Sequence, residues 1–511
     1  MPLVGQVGRK QPRARFAMFL LYVVLCLGTV TTIYPFLLML GLGFTGPTDQ
    51  NDNRIIPAFW SDNEKLEAKY IDDKYTGNVS IVDSIKALPP GNAVDIPAYE
   101  EFLKELPSSH WSVAYRTAAT QVTGQLAKRY QAWLRTKFST IDDLNKAYIE
   151  ENVAFQTVQP PMEQLEKSQW AAPRGRKWDD WRIFKSDLPI DFRVPIRLDR
   201  MFQDYVKGKV AGQIDILDPA VRGTATKFED IKWNPELPQA QEFLTANLPP
   251  QFKKLGTVES MWAKKSQNPM PILLRDKAYV KANIGGIRSE FNGRNYAYVL
   301  DYILLNGRAV ANTILFCLLV ILTQLIVNPI AAYALSRYPM KATGSILLFL
   351  LATMAFPAEV TMIPSFLLLK DLGLLNTFAA LVLPGAASGY MIFLLKGFFD
   401  SLPQELFESG QIDGAKEITM MWKIAFPLSK PVLGYLALLA FMGAYSAFLY
   451  AFLVAQNRSM WTLMVFIYQL QLTAPKAVMM AALTLVALPT LIVFLFCQRV
   501  IMKGIVLPGE R

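Results

Sequence analysis

Six stretches of this chain are apolar for long enough to cross a bilayer as helices: Phe16–Leu42, Ala309–Leu335, Ser345–Leu369, Leu375–Leu395, Val432–Ala455 and Ala477–Met502. Roughly 20 apolar residues cover the hydrocarbon core at 1.5 Å per residue. Lipid offers backbone N–H and C=O groups no partner, so each run must satisfy its own and is expected to be helical. The first run ends in Gly41-Leu42-Gly43-Phe44 and lacks the small-residue cleavage pattern of a secretory leader, so it reads as a first span.

Basic residues set the expected orientation. Arg9, Lys10, Arg13 and Arg15 precede the first run, which places that end in the cytoplasm. Alternation then puts Arg337 and Lys341 inside, followed by Lys396–Lys430 and by Arg499, Lys503 and Arg511. The short loops assigned outside hold only Lys370, Asp371, Arg458 and Lys476. The polar segment Gly43–Arg308 falls outside. The expected fold is an all-α membrane protein with six transmembrane helices and a mainly helical extracytoplasmic domain inserted between the first two. Residues 1–42 form the cytoplasmic start and first span, 43–308 the inserted domain, and 309–511 a five-helix core.

The net charge of +10 does not point to nucleic acid. The 43–308 segment carries 36 Lys and Arg against 34 Asp and Glu, about neutral, and the remaining +8 flanks the apolar runs, as membrane anchoring requires. Cys26, Cys317 and Cys497 all lie in apolar runs, so the polar segment must be held by an ordinary core. With His110 as the only histidine and no Gly-x4-Gly-Lys-[Ser/Thr] loop, no catalytic metal site and no ATP site is expected in the chain itself.

Within the polar segment, proline pairs at 89–90, 160–161 and 249–250 separate helical patterns. Val113–Phe138 reads as one helix, and Thr140 with Asp143 as the start of the next. Eight of the ten tryptophans fall here, Trp178 and Trp181 among them; core filling is the stronger reading and a sugar-stacking surface the weaker. Tyr130–Tyr148 resembles a helical stretch of certain barrel-fold β-galactosidases. No Asn-Glu pair precedes it, and nothing singles out the two carboxylates a glycosidase needs.

The cytoplasmic loop 399–431 carries the functional signal. Ser401 and Gln404 have capping-box spacing for a helix running to about Ile412. Asp413-Gly414 is a turn dipeptide in which glycine accepts positive φ and Asp413 can cap a second helix. That helix would place Ile418, Met421, Trp422 and Ala425 on one apolar stripe and end at Pro427 and Pro431.

In full, the loop resembles the EAA loop of bacterial ABC-importer permeases, Glu-Ala-Ala-x3-Gly-x9-Ile-x-Leu-Pro. Here those positions read Glu408, Ser409, Gly410, Gly414, Ile424, Phe426 and Pro427, and Asp413-Gly414-Ala415 matches the sugar-transporting branch. Ile33-Tyr34-Pro35-Phe36, Asn312-Thr313, Ala331–Arg337, Pro357–Pro364 and Lys503-Gly504 are similar to stretches of the smaller maltose-type permease. Tyr445-Ser446-Ala447-Phe448 departs from that family's Trp-Asn-x-Phe, and the 43–308 segment is foreign to it.

The resemblance implies a non-enzymatic subunit of a bacterial inner-membrane importer of carbohydrates. Its partners would be an ABC ATPase dimer that binds the ATP, a second permease and an external solute-binding protein. Glu408, Ser409, Gly410, Asp413, Gly414, Ala415, Ile424 and Pro427 would couple it to the ATPase. Glu359, the ionisable residue near the middle of a span, is the first candidate for a substrate path, with Asn312, Asn328, Tyr445 and Ser446 behind it. Orienting the binding protein or shielding the outer mouth ranks ahead of direct sugar binding for the inserted segment. The rival classes are a secondary transporter, which would show two similar halves, and a membrane-anchored carbohydrate-binding or glycosidase-like protein, for which one anchor helix would suffice.

Overall fold

The computed structural model describes residues 12–503 except 47, 76–78, 90, 117–123, 153–154, 302, 304–307, 339 and 473. Arg9, Lys10 and Arg511 of the charge pattern, Pro90 of the first proline pair and Gly504 lie outside the described residues. The chain divides into two compact units, residues 1–298 with 473–481, and residues 299–472 with 482–511. Both are mostly helical, and the described strands are two three-residue pieces.

The first unit opens with the 31-residue helix Pro12–Leu42, apolar on every side and largely exposed from Phe16 to Leu37. Such a helix is at home only in lipid or against other helices. Its last turn is clamped: a Cβ on Gly41 would sit 2.1 Å from the carbonyl oxygen of Ile55. Only glycine permits that approach. The Asn295 amide donates to the carbonyls of Gly43 and Thr45 at 3.0 and 2.8 Å, satisfying groups that follow the helix end.

The polar segment then folds as short helices around an aromatic core that includes Trp111, Trp181, Tyr70, Tyr99, Tyr130, Phe202 and Phe252. Strand Trp111–Val113 pairs antiparallel with Arg193–Pro195, Trp111 opposite Pro195. The helix expected over Val113–Phe138 is shorter: the described helix is Gln125–Lys137, and Val113 belongs to the strand. Thr140 caps as expected, its Oγ1 accepting the Asp143 N–H at 3.2 Å and donating to the Asp143 carboxylate at 2.7 Å. Several ion pairs are buried in this unit. Lys74 pairs with Asp276, both almost fully buried, and Lys185 Nζ reaches Glu163 at 2.8 Å and the Trp111 carbonyl at 3.0 Å.

In the second unit, helix Ala309–Arg337 packs against Gly389–Asp400 and Lys430–Ser446. It buries Phe316, Cys317, Val320, Ala332 and Tyr333. Of the six apolar runs, three are single helices: Pro12–Leu42, Ala309–Arg337 and Lys476–Lys503. The other three are interrupted. Ser345–Leu369 becomes Thr343–Thr353 and Ala358–Asp371, separated at Pro357. Leu375–Leu395 becomes Phe378–Val382 and Gly389–Asp400, bent by 50°. Val432–Ala455 becomes Lys430–Ser446 and Leu449–Val454. Pro357 stands at the first break and Pro384 just before the second, yet Pro35, Pro329, Pro364 and Pro489 lie inside continuous helices, so a missing N–H does not by itself break a run. A proline in the first turn of a helix, such as Pro431, removes no bond of the ladder.

Candidate functional site

The 399–431 loop is a pair of short helices set against the end of Ala309–Arg337. The first runs Gln404–Ile412. Ser401 does not cap it, contrary to the capping-box reading. Its hydroxyl donates to the Phe398 carbonyl at 2.6 Å and so closes the preceding helix, while Pro403 occupies the N-cap position without a side-chain bond. Gln404 instead donates to the Glu408 carboxylate at 2.8 Å, one turn on.

The turn itself is a Schellman motif. The Ala415 N–H bonds the Gly410 carbonyl at 2.9 Å and the Gly414 N–H bonds the Gln411 carbonyl at 3.0 Å, with Gly414 at φ +75°. This geometry demands a left-handed residue at 414, which glycine supplies without steric cost. Asp413 therefore ends the first helix and does not start the second, whose N-cap is Lys416. A Cβ on Gly414 would meet nothing within 4 Å, so the turn presents its outer side to open space.

The second helix begins at Glu417, passes through a π-helical turn at Met421–Ala425, in which the Phe426 N–H bonds the Met421 carbonyl, and continues to Leu428. The extra residue in that turn rotates the faces, so the expected stripe splits. Met420, Met421 and Ala425 are buried, whereas Ile418 is 70% and Trp422 55% exposed, and Ile412 across the turn is 86% exposed. Gly410 and Ile424 hold the two arms together: a Cβ at 410 would lie 3.4 Å from Ile424 Cδ1 and Met420 Sδ. Buried Ser429, whose hydroxyl donates to the Ala425 carbonyl at 2.6 Å, marks an 82° bend into Lys430–Ser446. Pro427 lies inside the second helix and Pro431 starts the next, so the bend, and not either proline, ends the loop.

Tyr333 and Arg337 on the last turn of Ala309–Arg337 each hold one arm, and Ser336 and Arg337 hold the end of the preceding helix Gly389–Asp400. The Tyr333 hydroxyl donates to Glu417 Oε2 at 3.0 Å, Ser336 donates to Asp400 at 2.7 Å, and Arg337 Nη2 donates to the Phe399 carbonyl at 2.6 Å. The Arg337 guanidinium also stacks on Phe407, which is buried within the first arm. Sequence reasoning used Arg337 as a topological charge and as the end of the Ala331–Arg337 stretch, and gave it no contact with the loop. The signal for more was there, an aromatic and a cation four residues apart at a helix end.

The other candidate residues are not brought together. Asn312 donates to the carbonyls of Ser459 and Trp461 at 2.8 and 3.0 Å, and buried Asn328 accepts the Ser388 N–H at 2.8 Å. The Tyr445 hydroxyl donates to the Val486 carbonyl at 2.6 Å, and Ser446 donates to the Met442 carbonyl at 2.6 Å. Each of these four spends its polar group on neighbouring backbone. Glu359 is exposed in the first turn of Ala358–Asp371. Gln324, one turn before Asn328, donates to the Gly385 carbonyl at 2.8 Å while its Oε1 has no partner among the described residues; sequence reasoning passed it over. Among the described residues, no His, Cys, Asp and Glu cluster could hold a metal.

Residues 328–506 match the family of binding-protein-dependent transport system inner membrane components. Protein LplC of Bacillus subtilis (strain 168) is 34% identical over 196 residues, spanning 35% of this chain and 66% of that protein. The arabinooligosaccharides transport system permease protein AraQ of Halalkalibacterium halodurans is 27% identical over 219 residues, 42% of this chain and 78% of that protein. The sn-glycerol-3-phosphate transport system permease protein UgpE of Yersinia pestis bv. Antiqua (strain Antiqua) is 31% identical over 206 residues, 39% of this chain and 73% of that protein. The family match does not reach into residues 43–308.

Proposed function

Because this chain belongs to the family of inner membrane components of binding-protein-dependent transport systems, we propose that it carries a carbohydrate or similar polyhydroxylated solute and is driven by a separate ATPase docked on its 399–431 loop. The observation that carries the reading is the exposed apolar ridge of Ile412, Ile418 and Trp422 around the Gly414 turn. Large apolar side chains grouped at a turn that is itself fixed from behind suit a protein interface better than solvent. Glu408, exposed beside them, is the polar anchor of that interface. Asp413, Gly414 and Ala415 shape the turn, and Ser409, Gly410, Ile424 and Pro427 hold the two arms at their angle.

The solute class follows the relatives, whose names specify arabinooligosaccharides and sn-glycerol-3-phosphate. The partners are an ABC ATPase dimer, which binds ATP, a second permease and an external solute-binding protein. In this reading each interrupted apolar run crosses the membrane as one broken span, giving six. Basic flanks place the residues before Pro12 and the 399–431 loop in the cytoplasm and residues 43–308 outside a bacterial inner membrane.

ATP-driven closure of the ATPase dimer would move the loop. Ala309–Arg337 would move with it through Tyr333, Ser336 and Arg337. The test is co-purification of the full chain with its partners, reconstitution in proteoliposomes, and a screen of saccharides for ATPase stimulation and uptake. Stimulation by at least one saccharide is expected. A complex that assembles and is stimulated only by a non-carbohydrate solute would refute the sugar assignment, and a chain that binds no ATPase would refute the coupling assignment.

A further inference from the structure

Eight buried side-chain polar atoms of the 43–308 segment have no hydrogen-bond partner among the described residues, and two of them, on Arg197 and Glu259, belong to residues lining one cavity. The cavity has a volume of about 650 Å³, and its wall includes Arg197, Asp199, Trp233, Glu259, Trp262 and Gln267. That size suits a small-molecule ligand. Arg197 is only 6% exposed. Its Nη2 donates to Ser84 Oγ at 3.0 Å and its Nε faces Asp199 at 3.3 Å, but Nη1 has no partner among the described residues. Glu259 Oε1 accepts the Leu198 N–H at 2.7 Å, while its Oε2 is likewise buried and unpartnered. Each such atom is a hydrogen bond left open to a ligand or a water. Here an unmet donor and an unmet acceptor share a wall.

The aromatic side of the wall is rigid. Trp233 is half-buried and held edge-to-face by Phe202, with ring centroids 5.1 Å apart. Trp262 is fixed by its indole N–H, which donates to the Asn268 carbonyl at 2.7 Å. Arg197 offsets Asp199, and burial pushes the Glu259 carboxyl above the ordinary carboxylate range against the opposing pull of its backbone hydrogen bonds. An ionic ligand would find little net countercharge. A hydroxyl group, being both donor and acceptor, answers either orphan. The C–H face of a sugar ring, apolar and weakly positive, matches the negative face of an indole.

We propose that this cavity binds a neutral saccharide, with hydroxyls meeting Arg197 Nη1 and Glu259 Oε2 and a ring face on Trp233. Neither orphan atom touches solvent in this conformation, so binding entails a side-chain adjustment in the wall, offset by the two bonds gained. The 43–308 segment is then a sugar-binding domain in its own right. This reverses the order of roles expected from sequence, where the tryptophans counted chiefly as core.

The test uses the full chain in nanodiscs without ATPase or solute-binding protein, so its outcome is separate from the transport reading. Isothermal calorimetry with maltotriose, xylotriose and arabinotriose is expected to show one site for at least one of them. Trp233→Ala and Glu259→Gln should each weaken it about tenfold or more. Gln267→Ala, at an exposed wall position, guards against misfolding of those variants and should weaken binding measurably with unchanged thermal unfolding. Trigalacturonate, the acidic counterpart, should bind more weakly than the best neutral sugar. Absence of binding by all three neutral sugars would overturn the proposal. So would tighter binding of trigalacturonate, or affinity that Gln267→Ala and Trp233→Ala leave unchanged.

Discussion

The guanidinium carbon of Arg337 lies 3.7 Å from the centre of the Phe407 ring, joining the end of a membrane helix to the first arm of the loop that follows two apolar runs later. Tyr333, one turn earlier, bonds Glu417 in the second arm. Both arms are thus tied to one helix end, at points ten residues apart across the Gly414 turn. A cation over an aromatic ring contributes about 0.5–2 kcal/mol, and a charge-assisted bond such as Arg337 to the Phe399 carbonyl about 1.5–3 kcal/mol.

Arg337→Ala should therefore leave ATPase docking intact, because Arg337 contacts Phe399 and Phe407 and not the exposed Ile412, Ile418 or Trp422, while lowering the number of solute molecules moved per ATP. Arg337→Lys should recover little, since an ammonium cannot stack as a planar guanidinium does. Tyr333→Phe should give a smaller loss of the same kind. Uptake and ATP hydrolysis measured on the same proteoliposomes would check this. A proportional fall in both would mean that the grip is only structural.

At Gly414 the backbone and the surroundings can be told apart. With φ at +75° an L-residue costs about 1–2 kcal/mol, yet a Cβ meets nothing in this chain. Gly414→Ala should thus produce a modest defect. Gly414→Leu should abolish uptake and loosen the ATPase, because the added bulk projects where a partner would sit. Glu408→Lys should do the same, since Glu408 bonds only its neighbour Gln404 among its described hydrogen-bond partners. Normal membrane insertion and expression are expected for all three. Wild-type uptake by Gly414→Leu or Glu408→Lys would remove the coupling role.

The loop shows what sequence can and cannot convey. Its turn was legible because Asp-Gly has few conformational choices at that spacing. Its faces were not, because a single π-helical turn at Met421–Ala425 rotates everything after it, and periodicity counted at 3.6 residues cannot see an inserted residue. Of the residues read as one apolar stripe, Met421 and Ala425 are buried while Ile418 and Trp422 are exposed. The apolar runs were legible by length, but not where they break: Pro357 and Pro384 stand at breaks, whereas Pro329, Pro364 and Pro489 lie inside continuous helices. The 43–308 segment was least legible. Its core joins residues far apart in sequence, Lys74 with Asp276 and His110 with Gly256, and short helices carry little periodicity.

Orientation rests on charge alone and is open to direct measurement. Lys167 is exposed on the 43–308 segment. A cysteine placed there, with Cys26, Cys317 and Cys497 replaced by serine, should react with a membrane-impermeant maleimide in spheroplasts. Labelling only after lysis would invert the topology.

Asp276 is 1% exposed and receives Lys74 Nζ, the Tyr75 hydroxyl at 2.6 Å and a longer contact from Arg275 at 3.5 Å. Removing the cation leaves a buried carboxylate short of its closest partner. Lys74→Met should cost about 3–5 kcal/mol in the stability of this domain. The double variant Lys74→Met with Asp276→Asn should recover part of that. Pulse proteolysis across a urea series would read both, and a Lys74→Met loss below about 1 kcal/mol would show the pair to be worth no more than a surface contact.

His110 supplies the pH dependence. It is fully buried, with Nε2 3.0 Å from the Gly256 carbonyl, Nδ1 2.9 Å from Ser109 Oγ, and its ring edge-on to Phe252 at 4.6 Å. The carbonyl requires an N–H on Nε2, which leaves Nδ1 to accept from Ser109 in the neutral ring. Burial lowers its pKa, and the bond to Gly256 opposes that only in part. The unfolded chain, with its histidine near the ordinary value of about 6.5, therefore binds the proton more readily than the folded one. Stability from this site is complete above about pH 6.5 and is lost as pH falls toward the depressed folded value. Glu166, Asp204 and Glu259, whose carboxyls burial pushes up, act in the opposite direction, losing stability as pH rises. The His110 contribution must thus be read as a difference between proteins. Between about pH 7.5 and 5.5 the wild-type domain should lose more thermal stability than His110→Gln, whose amide can donate to Gly256 but cannot take up a proton. Parallel pH profiles for the two would mean that the ring ionises as easily inside the domain as in water.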